Sequence, residues 1–330
     1  MSEDTLPLGL SPKALAEWRA TKAAVSGARV VLTLGRDDHD PEVFGIVNDV
    51  AINAQGQIAV LDASAQEVRV FDADGRFSGR FGGVGDGPGE FRRASSIESL
   101  SDGRFLVSMR GRIKIFERSV ESWQVSAAHD LPLVGIRNSC LAAPDRLFVS
   151  RVHPTDEHVI REVAVQGGVV SDFGLGYQDP NPAARMHLSP GSVDCVSTAS
   201  GIIFAFELLP TIRLYELNGS LVWTSALVEH SVLRITEDRT TSYVRFDDAQ
   251  PYDVLSSVHM VPSGRFVLLQ YRRLFPNEQP ELIRTYLLDR ESGFGAALGD
   301  SIPEIVDVHR HGYVTVDDVV PLVKLWRVDW

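Results

Sequence analysis

The chain has 330 residues, 44% of them hydrophobic and 23% charged, enough to bury a large core in one closed structure or in two domains. A net charge of −12 argues against a duplex nucleic-acid binder and against docking on an anionic membrane surface. No apolar run is long enough to insert across a bilayer.

Met1-Ser2-Glu3-Asp4 leads into no apolar stretch, so no secretory signal is visible. At face value the protein is cytoplasmic; it is exported if Met1 is only the start of a cloned mature domain. Ser11-Pro12-Lys13 then opens a short helix, with a capping serine and a proline in the first turn. Leu15, Trp18 and Val25 fall near one face of it and Gly27 ends it. Residues 1–28 read as a helical cap on the outside of a single domain spanning 29–330. Arg29–Gly35 is a strand.

From residue 46 onward one unit recurs: an apolar alternating strand, a tight turn, and a second apolar strand. Its turns fall at Gly56, Gly103, Asp145, Gly201, Gly264 and Gly312, separated by 47, 42, 56, 63 and 48 residues. That spacing suits the four-stranded antiparallel blades of an all-β propeller. A third strand follows in the clearest copies, as in Glu67–Asp72, Arg112–Phe116 and Thr211–Tyr215, and a fourth at Arg76–Phe81. The sixth copy supplies only three strands before Trp330. Arg29–Gly35 matches the missing outer one, so the N-terminal strand is expected to close a six-bladed ring and leave no free edge.

Gly83-Val84-Gly85-Asp86-Gly87 imitates a phosphate loop. A dinucleotide site needs a helix behind the glycines, whereas here Pro88-Gly89 and a strand follow, and Asp86 and Glu90 would repel an anion. We read it as a connector between blades. Asp72-Ala73-Asp74-Gly75 lacks the glutamate of a calcium loop and reads as a hairpin turn.

Gly75-Arg76-Phe77 through Phe81-Gly82, Gly85–Phe91 and Asp102–Val107 together resemble the six-bladed propellers of the NHL-repeat type, sharply over residues 46–118 and by pattern beyond. The resemblance implies that fold. It leaves function open, because the family includes scaffolds, ligand and partner binders, hydrolases and lyases.

Seven residues before each turn stand Asp49, Ser96, Asn138, Asp194 and Ser257, with Asp307 at the matching point of the sixth copy. Inner strands of a propeller line its channel, so this register predicts a polar ring at the channel mouth. Its plain reading is a hydrated channel. Its functional reading is a polar-ligand or cation site on Asp49, Asp194 and Asp307, with His259 or His309 nearby. A second ring follows each second strand at the loop-bearing face: Asp62, Arg110, Arg151, Tyr271, Arg272 and Asp317. Arginine with tyrosine suits recognition, and long loops on a rigid scaffold often carry it.

Cys140 and Cys195 lie in separate apolar strands, with no metal spacing and no disulfide framework, and are expected to be buried, reduced and inert. The expected function is a non-enzymatic binding or scaffold propeller for a peptide, a protein or a small polar ligand, anionic ones included, with no cofactor. The alternative is a lactonase-like metal-dependent hydrolase or lyase using the channel carboxylates with a divalent cation, calcium or zinc.

Overall fold

The turn chemistry read in the sequence sets the hairpins of the fold. In the computed structural model, Asp72 Oδ1 accepts from the amides of Asp74 (3.0 Å) and Arg76 (2.8 Å), and so makes the hairpin between the third and fourth strands of the first blade. The structure describes residues 7, 9–35, 43–120, 122–131, 136–142, 146–151, 157–195, 201–237, 244–247, 250–275, 282–317 and 321–330; of the strands at 234–237 and 244–247 it describes the backbone. The turn at Asp145 lies outside the described residues.

Helix α1 (Pro12–Ser26) is capped by Ser11, whose hydroxyl accepts from the Ala14 amide. Strand β1 (Arg29–Leu34) follows. Blade one is β2 (Val47–Ile52), β3 (Ile58–Asp62), β4 (Glu67–Phe71) and β5 (Phe77–Gly82). Blade two is β6 (Ala94–Ser99), β7 (Phe105–Met109), β8 (Arg112–Arg118) and β9 (Trp123–Asp130). Blade three is β10 (Ile136–Ala142), β11 (Arg146–Arg151), β12 (His158–Ala164) and β13 (Val169–Leu175).

A short helix, α2 (Pro182–Leu188), precedes blade four: β14 (Gly191–Cys195), β15 (Ile202–Phe206), β16 (Thr211–Tyr215) and β17 (Leu221–Ala226). A hairpin of β18 (Arg234–Glu237) and β19 (Val244–Asp247) then interrupts the ring. Blade five is β20 (Tyr252–Met260), β21 (Phe266–Leu274), β22 (Leu282–Asp289) and β23 (Gly295–Gly299). Blade six holds β24 (Ile305–His309), β25 (Gly312–Val316) and β26 (Val323–Arg327).

The last sheet has the order β1-β26-β25-β24, with Leu34 opposite Val323 and Arg29 opposite Arg327. The N-terminal strand therefore completes the sixth blade as expected, and every blade is a four-stranded antiparallel meander. The long segments between blades three and four and between four and five contain α2 and the β18–β19 hairpin, where the sequence suggested only loops.

Apolar packing sits between blades, one cluster to each junction. Leu61, Val68 and Phe81 of blade one meet Phe105, Phe116 and Trp123 of blade two. Equivalent clusters join two to three, three to four, four to five, five to six and six to one. Trp18 of α1 is 1% exposed, belongs to the cluster of blades five and six, and donates Nε1–H to the Leu287 carbonyl at 2.8 Å.

The glycine loop connects β5 to β6. Phe91 is fully buried between blades one and two, and a Cβ on Gly82 (φ +105°) would stand 2.5 Å from its ring, so no larger residue fits there. The loop carbonyls of Gly87 and Glu90 both accept from the buried ammonium of Lys114, at 2.6 Å each. A loop that turns its carbonyls onto a cation presents the wrong polarity to a phosphate.

Candidate functional site

The inner strands β2, β6, β10, β14, β20 and β24 surround the axis. Five of them break register at one level: between Val47 and Asp49, Ala94 and Ser96, Ile136 and Ser139, Leu255 and Ser257, and Ile305 and Asp307. Bulges re-aim side chains, and here they accompany the polar ring read from the sequence. Asp49, Ser96, Asn138, Asp194, Ser257 and Asp307 all line one axial cavity of about 760 Å³. The lining comes from both ends of the inner strands, from Val47, Arg137 and Glu304 at the loop-bearing face to Asn53, Pro262 and His311 at the other.

Most of this belt ties one blade to the next. Asp49 accepts from the Val50 amide of its own strand and from the Ile97 amide of blade two, both at 2.9 Å. The Ser96 and Ser139 hydroxyls meet at 2.8 Å. Asn138 donates to the Val193 carbonyl (2.8 Å) and accepts from the Val193 amide (3.0 Å). Asp194 accepts from the Met260 amide. His259 donates Nε2–H to the Ile305 carbonyl at 3.1 Å, which fixes its tautomer. Polar side chains at the axis thus satisfy strand ends that would otherwise be orphaned beside a wide channel.

The same residues give the channel unusual electrostatics. Burial raises the Asp49 carboxyl to about 8, and the charge of Asp307 adds to this against the Ile97 amide. Burial likewise raises Asp194 and Asp307 to about 7 each. Glu98 is pushed well above the carboxylate range by burial, then by the charges of Asp49, Asp194 and Asp307, against a hydrogen bond from Ser139. Burial depresses His259 and His309 to about 4, with the neighbouring His311 and Arg310 charges acting further on His309. At neutral pH the belt is therefore partly protonated carboxylic acid beside neutral imidazole.

Asp49, Asp194 and Asp307 share this channel closely enough for their charges to interact. Among the described residues, however, no three histidine, cysteine, aspartate or glutamate side chains are gathered as a metal ion requires. Calcium or zinc would need rearrangement of carboxylates already bonded to amides.

The second predicted ring divides. Arg272 reaches the channel mouth, where it pairs with Glu304 of the sixth-blade segment and lines the cavity. Arg110 is exposed at the tip of the β7–β8 hairpin. Asp317 is half-buried, with Lys324 at 3.4 Å. Arg151 is buried and faces Asp172 of its own blade at 3.4 Å.

Two members serve the fold. Asp62, 1% exposed, accepts from the amides of Gly45, Ile46, Ser64 and Ala65 and from the Ser64 hydroxyl. Burial alone would raise its carboxyl, but these bonds outweigh that and hold it below the usual range. Tyr271 is buried between blades four and five, its hydroxyl directed at the Phe206 carbonyl.

Among the channel residues that the sequence reading missed are Glu98, Arg137 and Glu304. Glu98 stands two residues after Ser96 in one strand, so period-two alternation already placed it on the channel side. Arg137, at the bulge of β10, pairs with Glu207 at 3.1 Å. No local signal marks either Arg137 or Glu304.

The reading of the cysteines is corrected. Cys140 and Cys195 form a disulfide between β10 and β14, with Cα atoms 5.5 Å apart. Each lies in its own apolar strand, but both strands are inner ones of adjacent blades, which brings the two sulfurs together.

A family model described as a 6-bladed beta-propeller matches residues 39–149. Solved structures similar to the chain include a protein of Bacteroides fragilis, 12% identical, with 93% of this chain and 97% of that one covered and a TM-score of 0.64. A member of the duf4221 family from Bacteroides vulgatus is 10% identical over 92% of this chain and 98% of that one, with a TM-score of 0.58. The β-propeller domain of Myceliophteria thermophila Cps50 (Swd1) is 10% identical over 91% and 99%, with a TM-score of 0.53. At these identities the likeness shows the fold alone. No curated protein matches the sequence.

Proposed function

We propose that the chain is a binding propeller of the NHL-repeat type, without a reaction of its own, that holds a peptide, a protein or a small polar ligand at its loop-bearing face. The observation that carries this reading is the axial cavity of about 760 Å³, a volume in the range of ligand sites, lined by carboxyl, hydroxyl and amide groups. Asp49, Asp194 and Asp307 supply its polar floor, and Arg137 and Arg272 stand at its mouth. Around them, the inter-blade connections expose Ile46, Val84, Leu175, Met186, Val228 and Val232 at that face. Apolar side chains around a polar funnel suit a partner that buries some surface and sends a polar group inward.

Arg272 and Arg151 already face carboxylates, so the funnel favours hydrogen-bonding ligands over simple anions. Arg110 and Asp317 form the outer rim. The metal-dependent hydrolase reading loses ground because the channel carboxylates accept backbone amides and form no ligand group among the described residues.

The test is a thermal-shift screen of small polar compounds and short peptides, run on the wild type and on Arg272→Ala. The expected result is a compound that raises the wild-type Tm and acts at least tenfold more weakly on the variant. Stoichiometric calcium or zinc in the purified protein, lost in Asp194→Ala and Asp307→Ala together with lactone hydrolysis, would overturn the reading in favour of the enzyme.

A further inference from the structure

The two cysteines are the only ones in the chain, and both are used in one bond. Cys140 lies within β10 opposite Phe148, and Cys195 ends β14 opposite Ile202. The bond therefore joins two inner strands directly, across the junction of blades three and four, at a sequence separation of 55. Both residues line the axial cavity, and Cys195 follows Asp194 of the polar belt. The same junction carries the double hydrogen bond of Asn138 with the Val193 backbone, at 2.8 and 3.0 Å. The other blade junctions are noncovalent among the described residues.

We propose that Cys140–Cys195 is a covalent lock on the wall of the channel, made in an oxidising compartment where the protein acquires its working form. Disulfides persist in such compartments, whereas cytosolic thiols are kept reduced. A closed loop of this length removes much freedom from the unfolded chain, so the lock has a large effect on stability. Its formation needs a donor disulfide as oxidant. The Cys140 thiolate attacks that disulfide and releases one donor thiol, and the Cys195 thiolate then displaces the second. Two electrons and two protons pass to the donor, which leaves as a dithiol. Cys195 is half-buried at the cavity wall and Cys140 is 3% exposed, so a small reductant reaches the bond through the channel and not through the blades.

The test begins with protein made under oxidising conditions, denatured and alkylated with and without prior reduction, its mass then read. The expected result is no alkyl group without reduction and one on each cysteine after it; full alkylation without reduction overturns the proposal. Native protein treated with a small dithiol, its reduction verified by mass, is expected to lose roughly 3–7 °C of Tm. An unchanged Tm overturns the lock. The double variant Cys140→Ser, Cys195→Ser is expected to show the lower Tm and no response to dithiol; should it fail to fold, the wild-type reductive titration decides alone. Protein made in a reducing cytoplasm is expected to carry free thiols, and a fully formed bond there overturns the compartment assignment.

Discussion

Asp307 offers the cleanest perturbation of the polar belt. Its carboxylate leans on the Val308 amide of its own strand and, among the described residues, holds no hydrogen bond to another blade. Asp307→Asn keeps an oxygen for that amide and removes the charge. Burial raises this group from 3.8 to about 7, so the native state binds a proton that the unfolded chain releases between those values. The sign follows: the protonated group contributes stability fully below about pH 4, and the contribution is lost as pH rises through about 7.

A shift of about three units corresponds to about 4 kcal/mol at most. Water entering the axial cavity screens the ionised form, and half of that ceiling, about 2 kcal/mol, is a sound expectation. The variant should come within a few tenths of a kcal/mol of the wild type near pH 3.5, where Asp307 is largely protonated in both the native and the unfolded chain, and exceed it by about 2 kcal/mol near pH 8.5, or roughly 3 °C in Tm. The depressed histidines 230, 259 and 309 titrate in both proteins and cancel in the difference. Calorimetry at the two pH values, at equal ionic strength, gives the answer. A variant less stable than the wild type at high pH, or offset equally at both, would refute the account of the belt as buried carboxyl groups.

Lys114→Met keeps the apolar stem but leaves the carbonyls of Gly87 and Glu90 without their donor, and should cost about 3 kcal/mol in urea denaturation; less than about 1 kcal/mol would mean that the loop holds itself. Asp62→Asn should cost about 1–3 kcal/mol at neutral pH. Because hydrogen bonds hold this carboxyl below its usual range, its stabilisation is present above about pH 4 and shrinks as pH falls, so a penalty that persists undiminished near pH 2 would contradict it.

The architecture was legible because each blade must turn tightly twice in a short span, and glycine or aspartate marks those turns at a recurring spacing. The closure was legible by deficit: blade six ran out of chain with one strand missing, and Arg29–Leu34 carried the matching pattern. The channel ring was legible because a strand's period of two, counted back from a turn, fixes which side chains face the axis. Side-chain contacts between strands distant in sequence were not. Nothing around Arg272 announces Glu304, 32 residues on, and nothing around Arg151 announces Asp172 on the outer strand of its blade. The cysteines are the instructive case. Both fall within a few residues of the predicted channel positions Asn138 and Asp194 in consecutive blades, so the propeller geometry already contained their meeting. Reading each strand's hydrophobicity alone concealed it.

The belt also constrains what binding can look like. Asp49, Asn138, Asp194 and His259 each hold a backbone group of the next blade, so a ligand that pulled them away would loosen the ring it binds in. Binding compatible with the fold must use the lone pairs and protons those clasps leave over, together with side chains not engaged between blades, of which Asp307 is the clearest. Substituting a clasp residue and finding weaker binding therefore does not identify a ligand contact, because the junction moves as well. Asp307→Asn separates the two effects: if it weakens a ligand found with the wild type while raising stability at high pH, the lost affinity belongs to the site and not to the ring.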